Sequence, residues 1–234
     1  MKALALLAGL LMAGPAGAGC RLALLLALDI STSVDMREDR LQREGLAQAL
    51  RDREVQAAIL ALPSAPVALA VYEWSGRYQQ ATTLPWTVLD GPDTLARATG
   101  VIAASERAFD RYPTALGYAV GHAATLFAGA PDCAARTLDV SGDGITNDGF
   151  GPRLAYGNFP LDDVTVNALA IGGAGDDAAL LSYYRDELIR GPGAFLITAD
   201  GYRDFARAMR RKLLREIGSA VVGGSVLAPA RQGG

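Results

Sequence analysis

Residues 22–33 read Leu-Ala-Leu-Leu-Leu-Ala-Leu-Asp-Ile-Ser-Thr-Ser. The first seven residues are apolar, which is typical of a strand buried on both faces in the middle of a parallel sheet. Asp29, Ser31 and Ser33 follow at every second position, where the chain leaves the strand. Open α/β sheets bind ligands beyond the carboxyl ends of such strands. The stretch therefore predicts a site of hydroxyl and carboxylate oxygens, which suit Mg²⁺, Mn²⁺ or Ca²⁺.

Two later residues extend this pattern. Thr114 stands just before a helical stretch, and Asp143 follows another strand-like run. Together with Asp29-x-Ser31-x-Ser33 they resemble the metal-ion-dependent adhesion site (MIDAS) of the von Willebrand factor A domain. The resemblance implies that the hydroxyls of Ser31, Ser33 and Thr114 hold a divalent metal directly or through water. It also implies that Asp29 and Asp143 hold the metal-bound waters and balance its charge.

The resemblance covers residues 20–217 and extends to a bacterial family of secreted A-domain proteins of unknown function. The phrases that carry it are Glu73-Trp74-Ser75-Gly76, Val140-Ser141-Gly142-Asp143-Gly144, Gly191-Pro192-Gly193-Ala194-Phe195 and Lys212-Leu213-Leu214-Arg215-Glu216-Ile217. It implies a doubly wound, mostly parallel six-stranded sheet of order 3-2-1-4-5-6 with helices on both faces. The implied function is metal-dependent protein binding, not catalysis. An unknown protein partner is expected to complete the metal coordination with an Asp or Glu carboxylate.

The apolar periodicity predicts alternating strands and helices along the chain. The predicted strands cover residues 22–28, 67–74, 78–89, 135–142, 164–171 and 194–198. The predicted helices cover residues 36–61, 91–107, 115–128, 176–189 and 200–217. The third strand is expected at an edge of the sheet, because Pro85 cannot donate a ladder hydrogen bond. A tight link at Ser75-Gly76-Arg77 would make it antiparallel to the second strand, as the third strand is in A domains. Thr114 is predicted to be the N-cap of its helix, and residues 143–156 are predicted to form a polar loop.

Residues 1–18 have the pattern of a cleaved export signal, with a basic start, a short apolar segment and Ala16-Gly17-Ala18 at the cleavage site. The apolar segment is too short for a permanent membrane span, so no stable membrane insertion is expected. We predict one folded domain over 19–218, a disordered tail over 219–234, and a periplasmic or secreted location. The net charge of −3 gives no strong attraction to nucleic acid.

The two cysteines have nearly matched positions. Cys20 lies nine residues before Asp29, and Cys133 lies ten residues before Asp143. If both acids end neighbouring parallel strands, the cysteines begin those strands side by side and can form a disulfide in an oxidising compartment. Two alternatives stay open, namely free thiols and lipidation of Cys20, although Gly17 stands where a lipoprotein signal usually has Leu.

Three further residues end the second strand at the same edge of the sheet as Asp29. Glu73, Trp74 and Ser75 are predicted to form a rim of the binding surface, with Trp74 as an apolar anchor. The alternative is that Trp74 belongs to the core. Asn147 and Asp148 also lie near this edge, where a turn role is favoured over partner contact.

Two functions of other kinds are weighed against protein binding. A Mg²⁺-dependent phosphatase of the haloacid dehalogenase kind would use Asp29 as nucleophile, but it needs a second Asp where Ser31 stands and usually a Lys. No Lys occurs between residues 3 and 211. His122 has no Gly-x-Ser-x-Gly elbow to serve, so a catalytic role is not expected. A metal site that serves only stability is the second alternative, and the sequence does not separate it from adhesion.

Overall fold

The structure, a computed structural model, describes residues 19–172 and 177–224, apart from the side chains of Asp177 and residues 219–224. The strands are β1 Leu22–Asp29, β2 Val67–Trp74, β3 Gln80–Leu89, β4 Arg136–Gly142, β5 Val164–Gly172 and β6 Leu196–Asp200. The helices are α1 Met36–Arg51, α2 Arg53–Leu60, α3 Pro92–Ala104, α4 Leu116–Phe127, α5 Pro152–Asn158, α6 Asp177–Tyr183 and α7 Phe205–Gly224. The predicted export signal and residues 225–234 of the predicted tail lie outside the described residues.

The six strands form one sheet in the order β3-β2-β1-β4-β5-β6. Strand β3 pairs antiparallel with β2, and the other neighbouring strands pair parallel. The predicted fold class, strand order and antiparallel edge strand are confirmed. Because β1 lies at the centre, its carboxyl end is flanked by the ends of β2 and β4.

Strand β1 separates two hydrophobic cores, as its uninterrupted apolar run predicts. Leu22, Leu24, Leu26 and Leu28 pack with α1, α2, α3 and α7 on one face. Ala23, Leu25 and Ala27 pack with α4, α5 and the π-helical turn Tyr184–Leu188 on the other. Alternate residues of a strand point to opposite faces, so one run of eight buried residues serves both layers.

Helices α1 and α7 approach closely at Gly45. A Cβ at this position would lie 2.9 Å from Phe205 Cδ1 and 3.2 Å from the backbone nitrogen of Ala206. Glycine therefore brings the two helix backbones together on the β1 face.

A cluster of buried charged groups anchors α7 to the sheet. Lys212 Nζ lies 3.0 Å from Asp139 Oδ1 on β4 and 2.8 Å from Glu216 Oε1, and all three side chains are fully buried. Asn167 Nδ2 on β5 donates to the same Glu216 oxygen at 2.9 Å. The lysine amine thus bridges two acids, because a buried charge is tolerated only when it is paired and hydrogen-bonded.

The predicted disulfide between Cys20 and Cys133 is confirmed. The two Cα atoms are 4.4 Å apart, and the residues are 113 positions apart in the chain. They form a parallel bridge at the start of β1 and β4. The disulfide joins the starts of β1 and β4, at the end of the sheet opposite Asp29.

In the first half of the chain, the predicted boundaries of two helices and one strand were wrong. Helix 36–61 is two helices, because the Asp52 side chain accepts hydrogen bonds from Glu54 and Val55 and starts α2 with its own cap. Helix 91–107 ends at Ala104, and strand β3 starts two residues after the predicted Tyr78.

In the second half, the predicted loop 143–156 contains the start of α5. Its Pro152 occupies the first helical turn, where the missing N–H costs nothing. Helix α6 gives way to the π-helical turn at Tyr184, and the last strand is shifted by two residues to Leu196–Asp200. Helix α7 continues to Gly224, so residues 219–224 are helical and do not begin the tail. The glycine at 218 costs roughly 1 kcal/mol in a helix, too little to end one already docked on the sheet.

Candidate metal centre

The predicted metal residues lie at one end of the sheet, beyond the carboxyl ends of its central parallel strands; we call this end the site edge. Asp29 is the last residue of β1, and Asp143 directly follows β4, which is the parallel neighbour of β1. Thr114 lies two residues before α4. The sheet order therefore brings together side chains from three distant parts of the chain.

A chain of hydrogen bonds joins four of these residues. The Ser31 amide donates to Asp29 Oδ1 at 2.7 Å, and the Ser31 and Ser33 hydroxyl oxygens are 3.1 Å apart. Ser33 Oγ then donates to Asp143 Oδ1 at 2.6 Å. The alternation Asp-x-Ser-x-Ser thus directs its oxygens to a single place, as the sequence predicts.

Thr114 is held against the loop that follows Asp143. Its amide donates to Asn147 Oδ1 at 2.9 Å, and its carbonyl accepts from the amides of Asn147 at 3.0 Å and Asp148 at 3.2 Å. A Cβ at Gly144 would lie 3.6 Å from Thr114 Oγ1. The threonine hydroxyl is therefore beside the loop that follows Asp143.

The predicted N-cap role of Thr114 was wrong. Ala115 is the N-cap residue of α4, and no side chain makes the capping hydrogen bond. The Thr114 hydroxyl is consequently not used by the helix.

Asp29 shows that the residues fit a cation. The residue is fully buried, and its Oδ2 has no hydrogen-bond partner among the described residues. Burial, and after it the negative charge of Asp143, raise the pKa of Asp29 to about 7, although hydrogen bonds from Ser31 and from the Asp143 backbone oppose the shift. A buried carboxylate with one free oxygen beside a second carboxylate is a group that a divalent ion would stabilise.

Gly142 provides the space beside that free oxygen. A Cβ at this position would lie 2.9 Å from Asp29 Oδ2, 2.5 Å from Tyr184 Oη and 3.3 Å from Trp74 Cζ2. Any side chain here would therefore fill the space between Asp29, Tyr184 and Trp74, which we call the cradle.

The donor set consists of oxygen atoms. Within residues 19–172 and 177–224, no group of three or more His, Cys, Asp and Glu side chains is arranged so that it could hold a metal ion. The centre combines two carboxylates with three hydroxyls, a hard set that suits Mg²⁺, Mn²⁺ or Ca²⁺.

Two tyrosines at this edge were missed by the sequence analysis. The hydroxyls of Tyr184 and Tyr202 are buried; that of Tyr184 has no hydrogen-bond partner in the described part of the chain, and that of Tyr202 lies close to Asp143. Burial and the charges of Asp29 and Asp143 raise the pKa of both phenols well above their usual value. Tyr184 belongs to a π-helical turn and Tyr202 to a 3₁₀ turn, so no periodicity or spacing in the sequence relates them to the acids.

The predicted rim of Glu73, Trp74 and Ser75 was wrong, because all three residues are buried. Glu73 forms an ion pair with Arg43, and its Oε1 accepts from the Ala108 amide at 2.7 Å. Trp74 belongs to the core, as the alternative held. The connection between α3 and α4 covers the end of β2.

Other residues form the exposed border of this edge. Met36, Tyr78, Tyr112 and Ile145 are 61%, 80%, 39% and 47% exposed, and we call them the outer rim. Met36 is the first residue of α1, and Tyr78, Tyr112 and Ile145 come from the connections β2–β3, α3–α4 and β4–α5, respectively. The Thr32 amide donates to the Tyr112 carbonyl at 2.8 Å, which fixes one member beside the Ser31–Ser33 loop.

Three other candidates have structural partners. Asp148 accepts from Arg77 at 2.7 Å, and Asn147 supports Thr114 as described, so both organise the loop. His122 is half-buried with its ring centroid 5.3 Å from that of Tyr72, and burial lowers its pKa. The expectation that His122 is not catalytic stays a prediction.

Residues 19–221 match a protein family described as a protein of unknown function (DUF1194). Among solved structures, the proximal thread matrix protein 1 of the mussel byssus is similar, with 16% identity, a TM-score of 0.61 and coverage of 86% of this chain and 49% of its own. A von Willebrand factor type A protein from Catenulispora acidiphila has 14% identity, a TM-score of 0.60 and coverage of 86% and 47%. The curated proteins contain no match.

These likenesses show the fold, which is that of von Willebrand factor A domains. The chain spans about half of the length of these two relatives, 49% and 47%. A further structure of the mussel protein, 15% identical with a TM-score of 0.60 and coverage of 86% of this chain and 49% of its own, has a zinc-occupied MIDAS motif. Metal occupancy is thus a property of that relative's motif.

Proposed function

The chain belongs to the DUF1194 family of proteins of unknown function, and we propose that it is an exported, divalent-metal-dependent protein-binding module. The single observation that carries this proposal is the free Oδ2 of the buried Asp29. A carboxylate held in this way, and linked to Asp143 through the Ser31 amide and the hydroxyls of Ser31 and Ser33, has a composition and arrangement that a divalent cation would complete.

In this proposal the hydroxyls of Ser31, Ser33 and Thr114 hold the ion, and Asp29 and Asp143 hold its waters. The bound ion would supply one open coordination position for an anionic oxygen. Mg²⁺ is the first candidate, with Mn²⁺ and Ca²⁺ as alternatives. The zinc-occupied MIDAS of the mussel relative supports metal binding at a motif of this type.

The proposed ligand is an Asp or Glu side chain of a protein partner. The outer rim supports this assignment, because its four large hydrophobic side chains are exposed in segments at the end of the sheet where the carboxylate would enter. Exposed aromatic and Met side chains are typical of protein interfaces. The partner segment should accordingly present an acidic residue flanked by apolar residues.

Export is supported by the Cys20–Cys133 disulfide, because such bonds persist in oxidising compartments. The described helices include none that is long and apolar enough to cross a membrane. A disulfide at Cys20 also uses the sulfur that lipidation would need, which favours a cleaved export signal over a lipid anchor.

The phosphatase alternative has little support. Lys212 is the only lysine among the described residues, and it is fully buried between Asp139 and Glu216. An amine held in this way cannot steady a phosphoryl group at Asp29. A metal that serves only stability remains the alternative that experiment must separate.

Capture of exported proteins by immobilised wild-type protein tests the proposal. Capture should require Mg²⁺, stop in EDTA and be absent with Asp29→Ala, whereas His122→Ala should capture normally. Substitution of a single Asp or Glu in the captured protein should then abolish binding. Capture that persists in EDTA, or with Asp29→Ala, would show that the metal does not mediate binding.

A further inference from the structure

The loop Ile30–Val34 carries two of the proposed metal-binding hydroxyls, and one arginine from a distant segment holds its backbone. Arg107 lies between α3 and α4, and its side chain is 5% exposed. Its Nη2 donates to the carbonyls of Ile30 at 2.5 Å and Ser31 at 3.1 Å. Its Nη1 donates to the carbonyl of Val34 at 2.7 Å. The guanidinium thus binds both ends of the loop.

The arginine is itself fixed. Its Nε donates to the Phe109 carbonyl at 2.7 Å, so the segment folds around its own side chain. Glu73 accepts from the amide of Ala108, and Arg43 donates to Ser105 Oγ at 2.8 Å. The buried Arg43–Glu73 ion pair therefore anchors the residues on both sides of Arg107 to the sheet and α1.

We propose that Arg107 is a positioning residue of the metal centre, which fixes the Ile30–Val34 loop so that Ser31 and Ser33 face Asp143. This inference rests on the proposed metal-binding function for its consequence, and on the hydrogen bonds of Arg107 for its cause. A planar guanidinium suits this task, because its donors diverge at fixed angles toward several carbonyls at once.

An electrostatic role and a positioning role of Arg107 predict opposite effects of its removal on metal affinity. Its positive charge repels a nearby cation, so a purely electrostatic role predicts that Arg107→Gln tightens metal binding. A positioning role predicts that the same substitution weakens binding, because the hydroxyls lose their alignment. Supporting residues around metal ligands typically contribute about 10–100-fold in metal affinity, and we expect a loss in this range.

Arg21 provides a matched control at the opposite end of β1. It is 5% exposed and donates to the carbonyls of Ala65 at 2.8 Å, Ala58 at 2.7 Å and Ile59 at 3.0 Å. Arg21→Gln therefore removes a comparable set of hydrogen bonds away from the metal centre. It should lower thermal stability without changing metal affinity.

The experiment measures two quantities in the wild type, Arg107→Gln, Arg107→Lys and Arg21→Gln. The first is amide hydrogen exchange of Ser31, Thr32 and Val34 in metal-free protein, since all three amides are hydrogen-bonded. The second is the Kd for Mg²⁺ by calorimetry, at a temperature where circular dichroism shows each variant to be folded.

We expect Arg107→Gln to speed exchange of the three amides and to raise the Kd, with Arg21→Gln unchanged in both. Arg107→Lys keeps the positive charge but loses the several diverging donors of the guanidinium, so it should show the same changes to a smaller extent. This variant also tests the proposal if Arg107→Gln does not fold. Wild-type exchange in either Arg107 variant, or a lower Kd, would overturn the proposal. If the wild type binds no metal, the proposed function fails, and the exchange result alone decides the role of Arg107.

Discussion

Ser33 donates a 2.6 Å hydrogen bond from its hydroxyl to Asp143 Oδ1, although 110 residues separate the two in the chain. Ser33 follows β1, and Asp143 follows β4. The contact exists because the two strands are parallel neighbours that end at the same edge of the sheet. The proximity of these two proposed metal-binding residues is therefore a direct consequence of strand order.

The first prediction compares Ser33, whose hydroxyl is a proposed metal ligand, with its neighbour Thr32, whose hydroxyl is not. Ser33→Ala should weaken Mg²⁺ binding, while costing about 1 kcal/mol or less in stability because the hydrogen bond is exposed. Thr32→Ala is the matched control, since the Thr32 hydroxyl bonds to the Tyr112 carbonyl instead. Calorimetric titration of both variants checks this. Equal Kd values for Ser33→Ala and wild type would remove Ser33 from the ligand set.

The second prediction concerns the cradle at Gly142. Gly142→Ala should destabilise the protein by about 1–3 kcal/mol and abolish metal binding, because the added methyl group would lie 2.9 Å from Asp29 Oδ2 and 2.5 Å from Tyr184 Oη. Gly100→Ala, on an open face of α3, should instead stabilise by roughly 0.5–1 kcal/mol. Urea denaturation with a parallel Mg²⁺ titration gives both values. An unaffected Gly142→Ala protein would mean that the space is not needed.

The frame of the fold could be predicted because its signals are local. The apolar run before Asp29 identifies the central strand, and the spacing of Cys20 and Cys133 identifies two strands that start together. The residues of the metal centre could be named because three short phrases match a known motif. Their common use as metal ligands is still a prediction.

The surroundings of the site could not be predicted, because they depend on segments that fold over the sheet edge. Trp74 ends a strand at the predicted end of the sheet, yet it is fully buried, since its side chain packs in the core with α4 and Tyr184. Arg107 and Tyr184 reach the site from irregular segments whose course leaves no periodic signal. The predicted N-cap role of Thr114 was wrong for a related reason. Its backbone is held by Asn147 in the loop, and the helix begins one residue later, with Ala115 as its N-cap.

The third prediction is that the disulfide forms in the exported protein and stabilises it. The bond spans 113 residues, for which the chain-entropy description suggests roughly 4–5 kcal/mol. Replacing both Cys20 and Cys133 by Ser should therefore lower the free energy of unfolding by up to that amount. Mass spectrometry of the unreduced wild type should show one cross-linked peptide pair. Two alkylatable thiols, or a lipid on Cys20, would contradict the assignment.

The fourth prediction is a pH dependence from the buried cluster on α7. Burial, and after it the charge of Glu216, raise the pKa of Asp139 from 3.8 to about 8, while Lys212 opposes the shift. Besides Lys212, α7 carries the basic residue Arg215 close to this cluster, with its guanidinium over the Phe195 ring. A raised acid pKa means that the folded protein keeps a proton that the unfolded chain releases. The resulting stability is fully present below about pH 4 and is lost as the pH rises through about 8.

Urea denaturation at pH 6 and pH 8.5 measures that dependence. The wild type should lose more stability between these values than Asp139→Asn, in which the titrating acid is absent but the amide can still face Lys212. Asn167, which donates to Glu216, is unchanged in both proteins. Identical pH dependences would show that Asp139 does not hold the proton.

The most direct test of the metal centre is a calorimetric titration of Mg²⁺ into wild-type protein and Asp29→Asn, together with their melting temperatures. Asp29→Asn removes a buried charge without changing the shape of the side chain, so it should melt at a higher temperature than the wild type in EDTA. In Mg²⁺ the order should reverse, because the bound ion stabilises only the wild type. No heat of binding to the folded wild type at millimolar Mg²⁺, Mn²⁺ or Ca²⁺, with no shift in its melting temperature, would contradict the account.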